Sequence, residues 1–229
     1  MSDVSLQRPV WNSLSGRQSH LAMVRGAAVR LDPNVGPFAA VRDESDAAFD
    51  ELFKAMALQA TPVLTVESAD FRMPQGCSVL ESVALLQMTH DGRPVEPAHG
   101  LEIDQLVEED AAEMTALASA TQPGPWRERS HTFGKFFGIR REGRLIAMAG
   151  ERMRPASDLA EVSGVCTLPE FQGQGIAAAL VRHVIAGFAA QGERAFLHCN
   201  AQKTGAIRLY EKLGFSATRE MVATVPALA

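Results

Sequence analysis

Residues 172–177 read Gln-Gly-Gln-Gly-Ile-Ala and stand directly before a run of helical periodicity. A helix start carries four main-chain N–H groups without partners, together with the positive end of the helix dipole. Glycines let a backbone approach a ligand closely. The chemistry this arrangement offers is the holding of an anion, which we read as a pyrophosphate. Three loop patterns compete for the segment. A Walker-type phosphate loop needs GxxxxGK[ST], and no Lys-Ser or Lys-Thr pair stands at that offset. A dinucleotide fingerprint can be laid over Gly173, Gly175 and Ala178. That pattern requires a strand running straight into the loop and an acid at the end of the next strand. Here Leu168-Pro169-Glu170-Phe171 intervenes, and the next strand ends His198-Cys199-Asn200. The third pattern, [QR]xxGx[GA], is met by Gln172, Gly175 and Ala177.

Other reactive side chains offer less. An acyl-cysteine intermediate on Cys166 would need a nearby base or cation to lower the thiol pKa, and the local sequence has none. The six histidines are scattered without triad order, and His183 and His198 read as surface or core residues. Cys77, Cys166 and Cys199 are widely spaced, with no CxxC or HxxxH, so neither a metal site nor a disulfide framework is expected. The net charge of −5 argues against nucleic-acid binding. It leaves an anionic ligand possible, because a helix N-terminus supplies local positive potential. The first residues lack an apolar signal core, and no run approaches the ~18 apolar residues of a membrane span. The expectation is a soluble protein of a reducing cytoplasm without a membrane partner.

The elements that must position these residues are legible in outline. The 229 residues suit one large domain or two ordinary ones. Residues 1–22 read as irregular, then weakly helical. Strands are expected at 27–31, 38–41, 62–66 and 82–88, the last competing with a helix from 78. A helix is expected at 46–59, where Phe49, Leu52, Phe53 and Met56 share a face. Residues 90–100, with two prolines and two glycines, mark a domain boundary. Beyond it come a strand at 101–106 and a helix at 110–118 with Asp110 and Glu113 in capping-box spacing. A hairpin follows at 136–140 and 145–152, then a strand at 159–167. A helix at 175–190 is stopped by Gly192. A strand at 194–199, a helix at 204–213 and a strand at 215–225 complete an α+β order.

With these elements in place, a family resemblance can be stated. Residues 167–180, TLPEFQGQGIAAAL, resemble the acyl-CoA pyrophosphate loop of the GNAT N-acetyltransferase superfamily. Residues 206–215, AIRLYEKLGF, resemble its second signature, about 35 residues further on. Residues 138–153 resemble its central hairpin, especially in the branch near glycine N-acyltransferases. The likeness covers roughly residues 101–225. It implies the GNAT acyl-CoA N-acyltransferase fold, with a mixed, mostly antiparallel sheet flanked by helices. Residues 98–229 would form the catalytic domain. Residues 1–97 would form an accessory α/β domain, compatible with a degenerate GNAT-like half that walls the acceptor pocket.

The resemblance also implies a mechanism. The donor would be acetyl-CoA, without a metal, and the acceptor a primary amine of a small molecule or amino acid that attacks the thioester directly. Val165, Cys166 and Thr167 would lie on the splayed strand, whose backbone N–H polarises the thioester carbonyl. The amides of Gln174, Gly175, Ile176 and Ala177, beside Gly173, would hold the pyrophosphate, and Gln172 would close the loop's first turn. Tyr210 matches the acid that protonates the leaving thiolate. Glu161 is expected as the base, with Glu151 or a water chain as competitors. The family often has Asn where Lys203 stands here; Asn200 would take part of that contact. The protein would work as a monomer or homodimer. A peptide-amine acetyltransferase and a non-catalytic acyl-CoA-binding module are the rival readings.

Overall fold

The computed structural model describes residues 4–57, 62–73, 77–96 and 100–228. The chain opens with a 3₁₀ turn and helix α1 (Pro9–Leu14). Strands β1 (Ala22–Arg25), β2 (Ala28–Leu31) and β3 (Ala39–Val41) form a small antiparallel sheet in that order. Helix α2 (Asp46–Ala57) lays Phe49, Leu52 and Phe53 against it. Strands β4 (Thr65–Ser68) and β5 (Cys77–His90) follow, then β6 (Asp104–Leu106) and helix α3 (Ala111–Thr121). The hairpin β7 (Phe136–Arg141) and β8 (Arg144–Glu151) leads into β9 (Leu159–Thr167) and helix α4 (Ile176–Ala190). Strand β10 (Arg194–Asn200), helix α5 (Thr204–Lys212) and strand β11 (Phe215–Leu228) end the chain.

Eight strands make the main sheet, in the order β4-β11-β5-β10-β9-β8-β7-β6. Only β9 and β10 pair in parallel, as suits strands joined through a crossover helix. This is the expected α+β architecture, with helices on a mostly antiparallel sheet. Alternation along β10 divides the core. Ala195, Leu197 and Cys199 face α4, while Phe196 meets Leu6 of the opening 3₁₀ turn, Val10 and Leu14 of α1, and their neighbours on the other face. A sheet covered on both faces explains why β9 lacks a clean polar–apolar rhythm.

The later elements sit close to their expected places, and the earlier ones differ more. Strand β1 was not foreseen, β4 starts three residues later than expected, and the strand expected at 101–106 is confined to 104–106. Residues 58 and 59 of the expected helix lie outside the described residues. The expected capping box at Asp110 does not form. Asp110 instead accepts from the Val107 amide at 2.8 Å and joins Glu113 in pairing with Arg140, because that guanidinium offers both acids a charged donor. The domain boundary expected at 97/98 is crossed by the sheet's hydrogen bonds. Strand β5 lies between β10 and β11, pairing Leu85–Thr89 with β10 and running along nearly all of β11. No helix among the described residues is long and apolar enough to cross a membrane.

Residues 98–229 expressed alone would leave β10 and β11 with unpaired facing edges. We expect that fragment to show no cooperative thermal unfolding transition by circular dichroism, while the full chain shows one.

Candidate active site

The parallel ladder of β9 and β10 contains only Leu159–Arg194, Ala160–Ala195 and Glu161–Phe196. Beyond it the strands part, β10 staying with β5 and β9 with β8. The β8–β9 register shifts between Met148 and Gly150, leaving Gly164 in a bulge at φ +62°. A Cβ there would come within 2.7 Å of the Phe136 ring, so conformation and space both require glycine. A bulge bends its strand and adds twist, which turns β9 away from β10. Leu168 donates its amide to Ile146. Alternation back from there points the amides of Thr167 and Val165 toward the gap and that of Cys166 toward β8.

A cavity of about 1600 Å³ fills the gap. On one side it meets the start of α4. Gly173 and Gly175 hold φ values of +77° and +78°, and a Cβ on either would meet no atom within 4 Å. The glycines therefore serve the backbone turn, and the space in front of them stays open. No side chain caps the first turn of α4, so its leading amides remain available to an anion. Gln172 donates its side-chain amide to the Thr167 carbonyl at 3.1 Å and closes the loop onto the end of β9.

Val165, Cys166, Thr167, Gln172, Gly173, Gly175, Ile176, Ala177, Asn200, Lys203 and Tyr210 all line this cavity. Gln174 is exposed and is not part of the lining. Burial, with the nearby Cys199 and Cys166 thiols, pushes the Tyr210 hydroxyl well above its usual pKa, so it carries a proton at neutral pH. Its ring packs edge-on against Phe215. Burial pushes the Cys166 thiol up to about 11, opposite to what a cysteine nucleophile needs. The Thr167 hydroxyl is buried without a partner among the described residues. Asn200 accepts from the Gln202 amide at the end of β10, and Lys203, Arg208 and Lys212 add positive charge to the lining. No group of His, Cys, Asp and Glu among the described residues could hold a metal ion.

Glu161 is placed differently from expectation. It is fully buried and is not part of the cavity lining. Arg152 grips both of its oxygens, at 2.6 and 2.9 Å, the Met153 amide donates to one, and His198 Nδ1 lies 2.7 Å from the other. Burial opposes ionisation here, but the charges and hydrogen bonds of Arg152 and His198 outweigh it and hold the carboxyl below the usual range. Glu151 pairs with Arg154 at 2.9 Å and also stands outside the large cavity. Arg152 and His198 do line it, and His198 Nε2 lies 3.1 Å from the Gln87 side-chain amide. That amide also donates to the Leu6 carbonyl. Sequence reasoning read His198 as core or surface. The one signal for it was Glu161 itself, an acid inside a strand that had to find a partner. The first half of the chain supplies further lining residues that no motif marked, among them Phe38, Leu64, Val83 and Leu85.

Comparison with known proteins follows from this geometry. A GNAT-family protein of Novosphingobium aromaticivorans DSM 12444, assigned to the acetyltransferases, is 48% identical over 99% of this chain and 100% of its own, with a TM-score of 0.88. The chain belongs to the GNAT family. The family described as FR47-like protein matches this GNAT protein over residues 136–223. A GCN5-related N-acetyltransferase from Kribbella flavida shares the fold at 19% identity, with a TM-score of 0.60 over 89% of this chain and 88% of its own. No curated protein matches the sequence.

Gly175→Ala should lower unfolding stability by about 1–2 kcal/mol through left-handed strain. Gly187→Ala, inside α4 where a Cβ also meets no atom, should raise it by about 0.5–1 kcal/mol; urea denaturation measures both. Glu161→Gln leaves the buried Arg152 without a counter-charge and should cost about 3–5 kcal/mol. Because the folded pKa of Glu161 is depressed, its contribution is full above the unfolded value of about 4.3 and is lost as pH falls below it. The stability difference between wild type and variant should therefore shrink between about pH 5 and about pH 3.

Proposed function

We propose that this GNAT protein transfers the acetyl group of acetyl-CoA to a primary amine of a small molecule by direct attack within a ternary complex. The observation that carries the reading is that the uncapped, glycine-bearing start of α4 and the gap between β9 and β10 open on one cavity. An anion held at the first places whatever it is attached to beside the second. The likeness of residues 138–153 to the hairpin of glycine N-acyltransferases supports a position near that branch.

The amides of Gly175, Ile176 and Ala177 bind the pyrophosphate, with Gln172 fixing the loop that presents them. The Thr167 hydroxyl and the Asn200 side chain contact the pantetheine arm, and Lys203 meets phosphate charge at the rim. The Val165 amide faces the thioester carbonyl and stabilises the oxyanion as the amine adds. When the tetrahedral centre collapses, the C–S bond breaks, Tyr210 gives its proton to the departing thiolate, and the surplus proton of the attacking nitrogen passes to cavity water, from which the phenolate is restored. An ammonium of pKa ~10.4 is neutral in only about one molecule in a thousand at pH 7, so the amine must first shed a proton. The Glu161 carboxylate is enclosed by Arg152 and His198, so that proton passes to water in the open cavity. Glu161 serves by fixing Arg152 and His198 where the strands part.

Tyr210→Phe should lower kcat roughly 100-fold, the lower end of the range for general acid catalysis. Its calorimetric affinity for CoA should match wild type. Unchanged turnover would remove Tyr210 from the mechanism, and no CoA binding by folded wild-type protein would remove the proposal.

A further inference from the structure

We infer that the acceptor is a monoamine with an apolar body, selected by residues from the first half of the chain; the inference rests on the acyl transfer proposed above. The cavity of about 1600 Å³ exceeds the ~300–1,000 Å³ of an ordinary small-molecule site, so it has room for two reactants. It reaches both faces of the sheet through the gap between β9 and β10. On the face of α4 and α5 it offers main-chain amides and the cations Lys203, Arg208 and Lys212. On the opposite face it is walled by Phe38, Leu64, Val66, Val83, Leu85 and Ala223, which belong to or pack against the other core. The cationic side suits the anionic donor, which leaves the apolar side for the acceptor.

The few charges on that apolar side narrow the class. Arg152 lines it, but its charge is matched by Glu161. Both ring nitrogens of His198 are held, by Glu161 and Gln87. Arg127 is exposed and lies against the Trp126 carbonyl. Glu81 is the only carboxylate lining the cavity among the described residues. It stands four residues beyond Leu85 on β5, about 14 Å along the strand. A polyamine would need several carboxylates and finds one. An acceptor carboxylate would meet the Arg152 guanidinium already neutralised by Glu161, while Arg127, with no ion pair among the described residues, is exposed to water. An alkyl or aryl body loses nothing by leaving water here and gains contact with six apolar side chains.

The test is a series of linear amines from ethylamine to hexylamine, with 1,6-diaminohexane and 6-aminohexanoate as charged counterparts of the longest. Both kcat/KM with acetyl-CoA and calorimetric Kd on CoA-saturated protein are read. We expect each added methylene to raise kcat/KM and tighten Kd about fourfold until the chamber fills. Hexylamine should outdo both charged analogues. Val83→Thr should weaken hexylamine by about tenfold, as a hydroxyl in an apolar pocket does, with CoA affinity unchanged. A flat series, or preference for the diamine or the amino acid, overturns the inference even where CoA binds and acetyl transfer occurs. Absence of CoA binding overturns the acyl-transfer reading instead. In that event the Kd series on the free protein still decides whether the apolar chamber takes amines.

Discussion

Two parallel strands separate after three paired residues, and the rest of the site depends on how that separation is held. A gap in a sheet leaves backbone groups without partners, which is costly unless water or a ligand satisfies them. Here the bulge at Gly164 turns β9 away. Directly at the last paired residue, Glu161 binds Arg152 from beyond β8 and His198 from β10. One buried carboxylate thus ties the diverging strands together where they begin to part. A buried ion pair adds little net stability compared with well-packed apolar residues, but it is directional. Direction is what a fork between strands requires.

The fork joins two environments of opposite chemistry. On one face, main-chain amides at the start of α4 and the cations of α5 attract a phosphate. On the other, residues of β3, β4, β5 and β11 and their flanks present hydrocarbon. The sheet itself is the partition, and in the proposed transfer the reacting atoms meet where it is incomplete. A net charge of −5 is compatible with the proposed polyanionic donor: the relevant field is local, set by a helix terminus and a few side chains.

The loop at 172–177, the helix after it, β9, and α5 with Tyr210 were legible because their signals are local: glycine spacing, helical periodicity and a turn residue. The role of Glu161 was not. In the sequence it is one acid among small and apolar neighbours. Its partners lie nine and 37 residues away and reach it from adjacent strands. The place of β5 was equally hidden. Its residues carry no motif, and its position depends on β11, more than a hundred residues later. The apolar chamber was beyond reach for the same reason, since Phe38, Leu64 and Val83 become one surface only after long-range pairing. The box expected between Asp110 and Glu113 failed because the helical turn begins earlier, at Glu108, which puts Asp110 at helical dihedrals and turns its carboxylate back to the Val107 amide.

The insertion of β5 between β10 and β11 has a consequence for biosynthesis. The early strands β4 and β5 leave the ribosome long before β10 and β11, the neighbours that complete them. Until β10 emerges β5 waits with both long edges unsatisfied, and pairings this far apart in sequence form slowly. The nascent chain is therefore open to chaperones, proteases and self-association until β10 and β11 emerge and close the sheet around β5.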